Sequence, residues 1–74
     1  MDFKQLESFI TIAKYNSFSK AARELYLTQP TLSNHIQNLE SELGILLFDR
    51  KGKTIELTDA GKTFKNHAVE IIKK

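Results

Sequence analysis

The chain has 74 residues, of which 41% are apolar and none is cysteine, and its formal net charge is +2. This length suits one small domain that buries roughly 60% of its unfolded surface, and the composition excludes a disordered tail. The lack of cysteine excludes disulfides and thiolate metal sites and fits a reducing cytosol. The N-terminal residues carry no secretory signal, and the longest apolar run, Ile45 to Phe48, is too short for a membrane span. We therefore expect a cytoplasmic protein with no membrane partner.

The charge excess alone does not indicate a nucleic-acid partner. Residues 1–57 hold seven basic and seven acidic side chains, so the whole excess lies in residues 58–74, with four lysines against two acids. A basic footprint on DNA must therefore come from local clustering of lysine and arginine.

Caps and apolar spacing predict the first two helices. Asp2, three residues before Gln5, caps a first helix that Asn16 ends, and Ser17 caps a short second helix. The inward-facing residues recur at the helical period: Phe3, Leu6, Phe9, Ile10 and Ala13 in the first helix, and Ala21, Ala22 and Leu25 in the second. The paired alanines predict that another helix crosses close over the second one.

The third predicted helix has two chemically different faces. Thr28 caps it, Pro30 is compatible with its first turn, and Gly44 ends it. The apolar face consists of Leu32, Ile36, Leu39 and Leu43. The opposite face is uncharged: Pro30, Asn34, Gln37 and Ser41, flanked by Ser33 and Asn38. Asn and Gln can bond N6 and N7 of adenine, Ser and Thr hydroxyls suit donor or acceptor base edges, and no acid lies between Thr28 and Gln37.

A small hairpin and a fourth helix are predicted after Gly44. Leu46 to Phe48 and Thr54 to Leu57 read as two strands around a turn at Gly52, forming a wing over about residues 46–57. Its basic residues, Arg50, Lys51 and Lys53, suit phosphates or a minor groove. Thr58 and Asp59 cap the last helix, which runs to the final residue with apolar positions Phe64, Ala68, Ile71 and Ile72.

This order predicts a mainly α fold, a winged helix-turn-helix with a three-helix core and a two-stranded wing. The predicted domain covers residues 1–58, with the helix-turn-helix at about 18–37. Residues 59–74 then begin a linker or dimerisation helix. The exposed end of that helix is either a dimer surface or a frayed tail.

Each functional feature also has an ordinary explanation. The uncharged face of the third helix is also compatible with simple exposure to solvent, and the charges of the hairpin with a solvated turn. Lys20 and Arg23 on the second helix are either phosphate contacts or surface charge, with surface charge favoured for Arg23. The short helix, tight turn, polar third helix and basic hairpin together favour DNA readout. A competing interpretation is a winged helix that binds only proteins, which would expose apolar residues where the wing has Arg50, Lys51 and Lys53.

No pattern in the sequence predicts an enzyme, a cofactor or a metal site. His35 and His67 lie far apart, and no glycine-rich phosphate loop precedes a helix. Asp49, Glu56 and Asp59 alternate with basic residues, as in a solvated turn, and a metal site needs more convergent ligands.

The chain resembles the N-terminal DNA-binding domain of the LysR-type transcriptional regulators over nearly its whole length, in order and without gaps. The motifs that carry the resemblance are Phe18 to Ala22, Thr28 to Ser33, Leu39 to Gly44, Leu47 to Arg50 and Leu57 to Gly61. The resemblance implies a bacterial, nucleoid-associated transcription factor that binds double-stranded DNA, with the third helix in the major groove and the wing on the flanking backbone. It also implies a homodimer on an inverted-repeat operator, contact with RNA polymerase, and a small-molecule effector held by a C-terminal domain that these residues do not contain.

The resemblance and the uncharged face of the third helix together predict the DNA-binding residues. The base-reading residues are Gln29, Pro30, Thr31, Ser33, Asn34 and Gln37, and the backbone or wing contacts are Lys20, Thr28, Arg50, Lys51 and Lys53. The dimer helix contributes Phe64, Ala68, Ile71 and Ile72. Many family members carry arginine where this chain has Asn34, so the resemblance implies an adenine preference in place of a guanine contact.

Overall fold

The computed structural model describes residues 1–50 and 54–73, with side chains as far as residue 71. In these residues it contains four helices and one two-stranded sheet. The elements in chain order are α1 (Phe3–Tyr15), α2 (Phe18–Glu24), α3 (Gln29–Leu43), β1 (Phe48–Asp49), β2 (Glu56–Leu57) and α4 (Asp59–Lys73). The predicted mainly α winged helix-turn-helix is confirmed.

Local caps set the helix ends as the sequence predicts. The Asp2 carboxylate accepts the Gln5 N–H at 2.8 Å, and Gln5 Oε1 accepts the Asp2 N–H at 3.2 Å, which completes a capping box. The Ser17 hydroxyl accepts the Lys20 N–H at 3.1 Å. Gly44 ends α3 in the left-handed conformation, with φ of 71°, where glycine carries no steric penalty.

One core joins the three N-terminal helices, the wing and α4. Helix α1 packs against α2, α3 and α4, and the ring of Phe9 lies 5.3 Å from that of Phe48 and 5.2 Å from that of Phe64. The ring of Phe18 contacts Phe48 at 5.9 Å. The buried apolar residues are Leu6, Phe9, Ile12, Ala13, Phe18, Ala21, Ala22, Leu32, Ile36, Leu39, Leu47, Phe48 and Ala68.

The predicted core face of α1 is wrong at one end. Phe3 is 60% exposed, because it is the first residue of the helix and burial begins one turn later, at Leu6. The predicted stripe also omits Ser8 and Ile12, both of which are buried. A helix that is covered by three other helices buries a wider face than a single apolar stripe indicates.

The wing is shorter than the predicted 46–57 hairpin. Phe48 pairs with Leu57 and Asp49 with Glu56 in an antiparallel register, so the strand does not begin at Leu46. The Leu47 carbonyl still accepts the N–H of Thr58, the next residue in this register, at 3.0 Å. The Leu47 N–H, however, donates to Glu40 Oε2 at 2.7 Å and not to the second strand, so regular pairing ends at Phe48.

Helix α4 begins where the sequence places it. The Thr58 hydroxyl accepts the Gly61 N–H at 2.9 Å and donates to the Leu46 carbonyl at 2.6 Å, so one side chain caps the helix and ties it to the loop before β1. The prediction that the helix reaches residue 74 lies outside the described residues.

Candidate nucleic-acid interface

The two predicted faces of α3 are present and opposed. Leu32, Ile36 and Leu39 are at most 1% exposed. The predicted base-reading residues Gln29, Pro30, Thr31, Asn34 and Gln37 are exposed, and Ser33 is half-buried. The helix thus uses one side for the core and leaves an uncharged polar side free, which we call the polar face of α3: Gln29, Pro30, Thr31, Ser33, Asn34 and Gln37.

The first turn of α3 is ordered by its cap and carries no negative charge. The Thr28 hydroxyl accepts the Thr31 N–H at 3.3 Å and donates to the Thr31 hydroxyl at 2.9 Å. No acidic residue lies in the first turn. A helix N-terminus carries partial positive charge, so this end of α3 is electrostatically compatible with phosphates.

Two of the predicted basic contacts, Lys20 and Arg50, are exposed. Lys20 lies on α2, and Arg50 lies at the end of β1. The Arg50 guanidinium lies 4.1 Å from the centre of the Phe18 ring, a cation–π contact that holds its charge beside the start of α2. Lys51 and Lys53, the other predicted wing contacts, lie outside the described residues.

Glu40 is a structural link that the sequence prediction missed. The sequence marks it only as an acid late in α3, but its carboxylate accepts the N–H of Leu47 at 2.7 Å and of Phe48 at 3.4 Å. It therefore fixes the start of the wing relative to α3. Its partners are backbone groups, which leave no signal in the sequence.

The turn between α2 and α3 contains a second unexpected feature. Tyr26 has φ of 57° and is 95% exposed, although this left-handed conformation favours glycine. The turn is closed by the Leu27 N–H, which donates to the Ala22 carbonyl at 2.8 Å. Because Tyr26 lies between Leu25 and Leu27, the sequence does not predict that it is exposed.

The predicted dimer-helix residues divide into two groups. Phe64 contacts Phe9, and Ala68 is fully buried, so both belong to the chain's own core. Ile71 is 52% exposed. The side chain of Ile72 lies outside the described residues.

The comparison with known proteins identifies the family of this chain. Residues 3–62 match the family model of bacterial regulatory helix-turn-helix proteins of the lysR family. The chain belongs to the LysR family.

Relatives within the LysR family match almost the entire chain. The transcriptional regulator CitR of Bacillus subtilis (strain 168) is 47% identical over 72 residues, which are 97% of this chain and 25% of CitR. ClcR of Pseudomonas putida is 42% identical, with 97% of this chain and 24% of ClcR covered. The chain thus spans about a quarter of the length of these relatives.

Solved LysR-family structures share the fold closely. The DNA-binding domain of CbnR in complex with DNA superposes with a TM-score of 0.94 at 38% identity, covering 99% of this chain and 84% of that one. Full-length OxyR from Pseudomonas aeruginosa superposes with a TM-score of 0.93 at 33% identity, covering 99% and 25%. The resemblance seen in the sequence motifs is confirmed.

In the described part of the chain, no three His, Cys, Asp or Glu side chains come together in a way that could hold a metal ion. His35 Nδ1 is 2.9 Å from the Ser8 hydroxyl, and His67 is exposed on α4. Within residues 1–50 and 54–73, no helix has the length and apolar character of a membrane span. Membership in a family of regulators supports the prediction that this chain is not an enzyme.

Proposed function

We propose that this chain is the DNA-binding part of a bacterial transcriptional regulator and that it recognises a specific sequence in double-stranded DNA. The observation that carries the proposal is the polar face of α3, which is free of acids and exposed except at the half-buried Ser33, while Leu32, Ile36 and Leu39 on the opposite face are buried. The major groove of B-DNA admits an α-helix and presents a distinct donor and acceptor pattern for each base pair. The similarity to a DNA-binding domain solved on DNA supports the same function.

The contacts divide into two classes. The polar face of α3 reads base edges, with Asn34 suited to adenine. Lys20 and Thr28 bind the backbone, and the wing residues Arg50, Lys51 and Lys53 lie on flanking phosphates or in the minor groove. Phosphate contacts give affinity without sequence information, whereas base contacts give the preference.

A winged helix that binds only proteins fits these surfaces poorly. The large apolar side chains exposed among the described residues are Met1, Phe3, Tyr26, Ile45, Leu46 and Ile71. None of them belongs to α3 or to the two strands. A protein-binding interface has an apolar or aromatic core, and the described surface of α3 lacks one.

We further propose that residues 1–58 form the reading domain and that residues 59–74 begin a dimerisation helix. Helix α4 has 15 residues, a length of about 22 Å, and Ile71 is exposed although it continues the apolar positions of Phe64 and Ala68. A two-fold pair would place two α3 helices one groove turn or a multiple of it apart, about 34–36 Å for one turn, on an inverted repeat.

Further partners belong to the longer regulator. An effector-binding domain and contact with RNA polymerase fit proteins about four times the length of this chain, as the relatives are. A regulator of this kind works in the bacterial cytoplasm, at the nucleoid. The DNA-binding activity can be tested in the 74-residue chain, since its helices, wing and α4 share one core.

Asn34→Ala tests the base-reading assignment. We expect a loss of ~1–3 kcal/mol on a preferred duplex and a flattened preference at one base pair. Lys20→Ala is the matched control, because removing a phosphate contact should weaken preferred and scrambled duplexes similarly and reduce the salt slope by about one unit or less. Titrations of both variants on both duplexes at several salt concentrations measure the difference. Equal losses for the two variants on both duplexes would contradict the assignment.

Ile71→Lys tests the dimer. We expect a folded monomer, because a lysine cannot be buried unpaired at an apolar interface, with weaker binding to a two-half-site duplex and unchanged binding to one half-site. Asn66→Lys adds the same charge at an exposed position of the same helix and should leave the dimer intact. Sedimentation and duplex titration report both properties. An unaltered chain that stays monomeric at high concentration and binds one half-site as tightly as two would refute the pair.

A further inference from the structure

Ser8 of α1 is a buried polar side chain in an otherwise apolar core. Only 1% of its surface is exposed, and its Oγ lies 2.9 Å from Nδ1 of His35 on α3, 27 residues further along the chain. A buried hydroxyl without a partner costs free energy. In this structure the partner of the hydroxyl lies on α3, so the bond links the position of α1 to that of α3.

The other buried contacts between α1 and α3 are apolar and lack the directionality of a hydrogen bond. The core residues of the two helices are Leu6, Phe9, Ile12 and Ala13 on α1 and Leu32, Ile36 and Leu39 on α3. The hydrophobic effect is non-directional, whereas a hydrogen bond weakens steeply when its angle is wrong. Within the described residues, Ser8 with His35 is the one side-chain-to-side-chain hydrogen bond between α1 and α3. The ion pair of the Met1 amino group with Glu42 is solvent-exposed, and such pairs contribute little.

We propose that Ser8 is a positioning residue that, through His35, fixes the rotation of α3 about its own axis and thereby the base edge that Asn34 meets. This proposal rests on the proposed function of α3. Asn34 directly precedes His35 on the helix, and Thr31 lies one turn before it. The hydrogen bond and the reading side chains are therefore on adjacent positions of one rigid element.

A small rotation of α3 is enough to matter for base contacts. The outer radius of a helix with side chains is about 5–6 Å, so a rotation of about 10° moves a side-chain tip by about 1 Å. Hydrogen bonds to base edges require donor–acceptor distances within a few tenths of an ångström of their optimum. A flexible lysine on a phosphate adjusts to the same movement. Loss of the Ser8 hydroxyl should therefore reduce sequence preference more than affinity.

Ser8→Ala tests this proposal because it removes only the hydroxyl at a buried position. We measure binding to a preferred duplex, selected from a random pool with the unaltered chain, and to a scrambled duplex, each over a range of salt. The ratio of the two affinities should fall about threefold to tenfold, in line with the net value of one hydrogen bond. Affinity for the scrambled duplex and the salt slope should not change.

Thr11→Ala is the matched control. Thr11 also lies on α1 and donates its hydroxyl to a backbone carbonyl, that of Glu7, at 2.8 Å, but this bond does not reach α3. The control should keep the full preference. An unchanged ratio in Ser8→Ala, an equal fall in both variants, or parallel losses on both duplexes from a destabilised Ser8→Ala would overturn the positioning role. If the unaltered chain shows no preferred duplex, the proposed function of α3 fails instead.

Discussion

Leu39→Ala is expected to lower the free energy of unfolding by ~2–5 kcal/mol, because it removes a buried side chain and leaves a cavity. Leu39 is fully buried on the apolar face of α3. The total stability of small domains is roughly 5–15 kcal/mol, so the variant should be partly unfolded at moderate temperature. Loss of the fold would also abolish DNA binding.

Urea unfolding followed by circular dichroism measures this loss. Leu46→Ala is the matched control, since it removes the same atoms from a residue that is 68% exposed, and its midpoint should stay close to that of the unaltered chain. A Leu39→Ala variant with an unchanged midpoint would show that the apolar face of α3 is not the core.

Gly61→Ala is expected to be the second large effect, with a loss of ~1–3 kcal/mol or more from overpacking. A Cβ atom at Gly61 would collide with the carbonyl oxygen of Leu47 and lie 3.1 Å from its carbonyl carbon and from Leu57 Cδ2. The clash is with backbone, and the same carbonyl accepts the Thr58 N–H at 3.0 Å. Helix α4 must therefore move away from the wing.

The helix propensities of glycine and alanine favour the substitution and so oppose this loss. The sign of the measured change therefore distinguishes the steric clash from helix propensity. Alanine is better than glycine inside a helix by about 1 kcal/mol, so a helix without the close contact would gain stability from the change. Thr63→Ala, at an exposed position one turn into the same helix, is the control and should be neutral or slightly stabilising. A rise in the unfolding midpoint of Gly61→Ala would contradict the close approach of α4 to Leu47.

The parts of the fold that depend on local signals follow from the sequence. The Asp2–Gln5 capping box, the Thr28 cap and the Gly44 end each involve residues a few positions apart. The residue types at these positions therefore predict where the helices begin and end. The two faces of α3 also follow from the sequence, because both are set by the spacing of residues within one helix. Gly61 lies in a segment that carries the LysR resemblance, and only the structure shows that its close neighbour is the Leu47 carbonyl.

The parts that depend on distant neighbours do not follow from the sequence. Phe3 has the spacing of a core residue but lies beyond the packed part of α1, and Ser8 is polar but buried. Glu40 bonds to backbone groups of the wing, and Arg50 stacks on Phe18, 32 residues earlier in the chain. Periodicity reports which residues share a face, but not what covers that face.

The most direct test of the central claim, that α3 reads a DNA sequence, is selection of bound duplexes from a random pool by the unaltered chain and by Asn34→Ala. We expect the unaltered chain to enrich an inverted repeat with a strong preference for one base at the position that Asn34 meets. The duplexes selected by Asn34→Ala should keep the base preferences at the other positions and lose the preference at that one. Recovery of unrelated sequences by the unaltered chain, with affinity that depends on salt alone, would contradict sequence reading by α3.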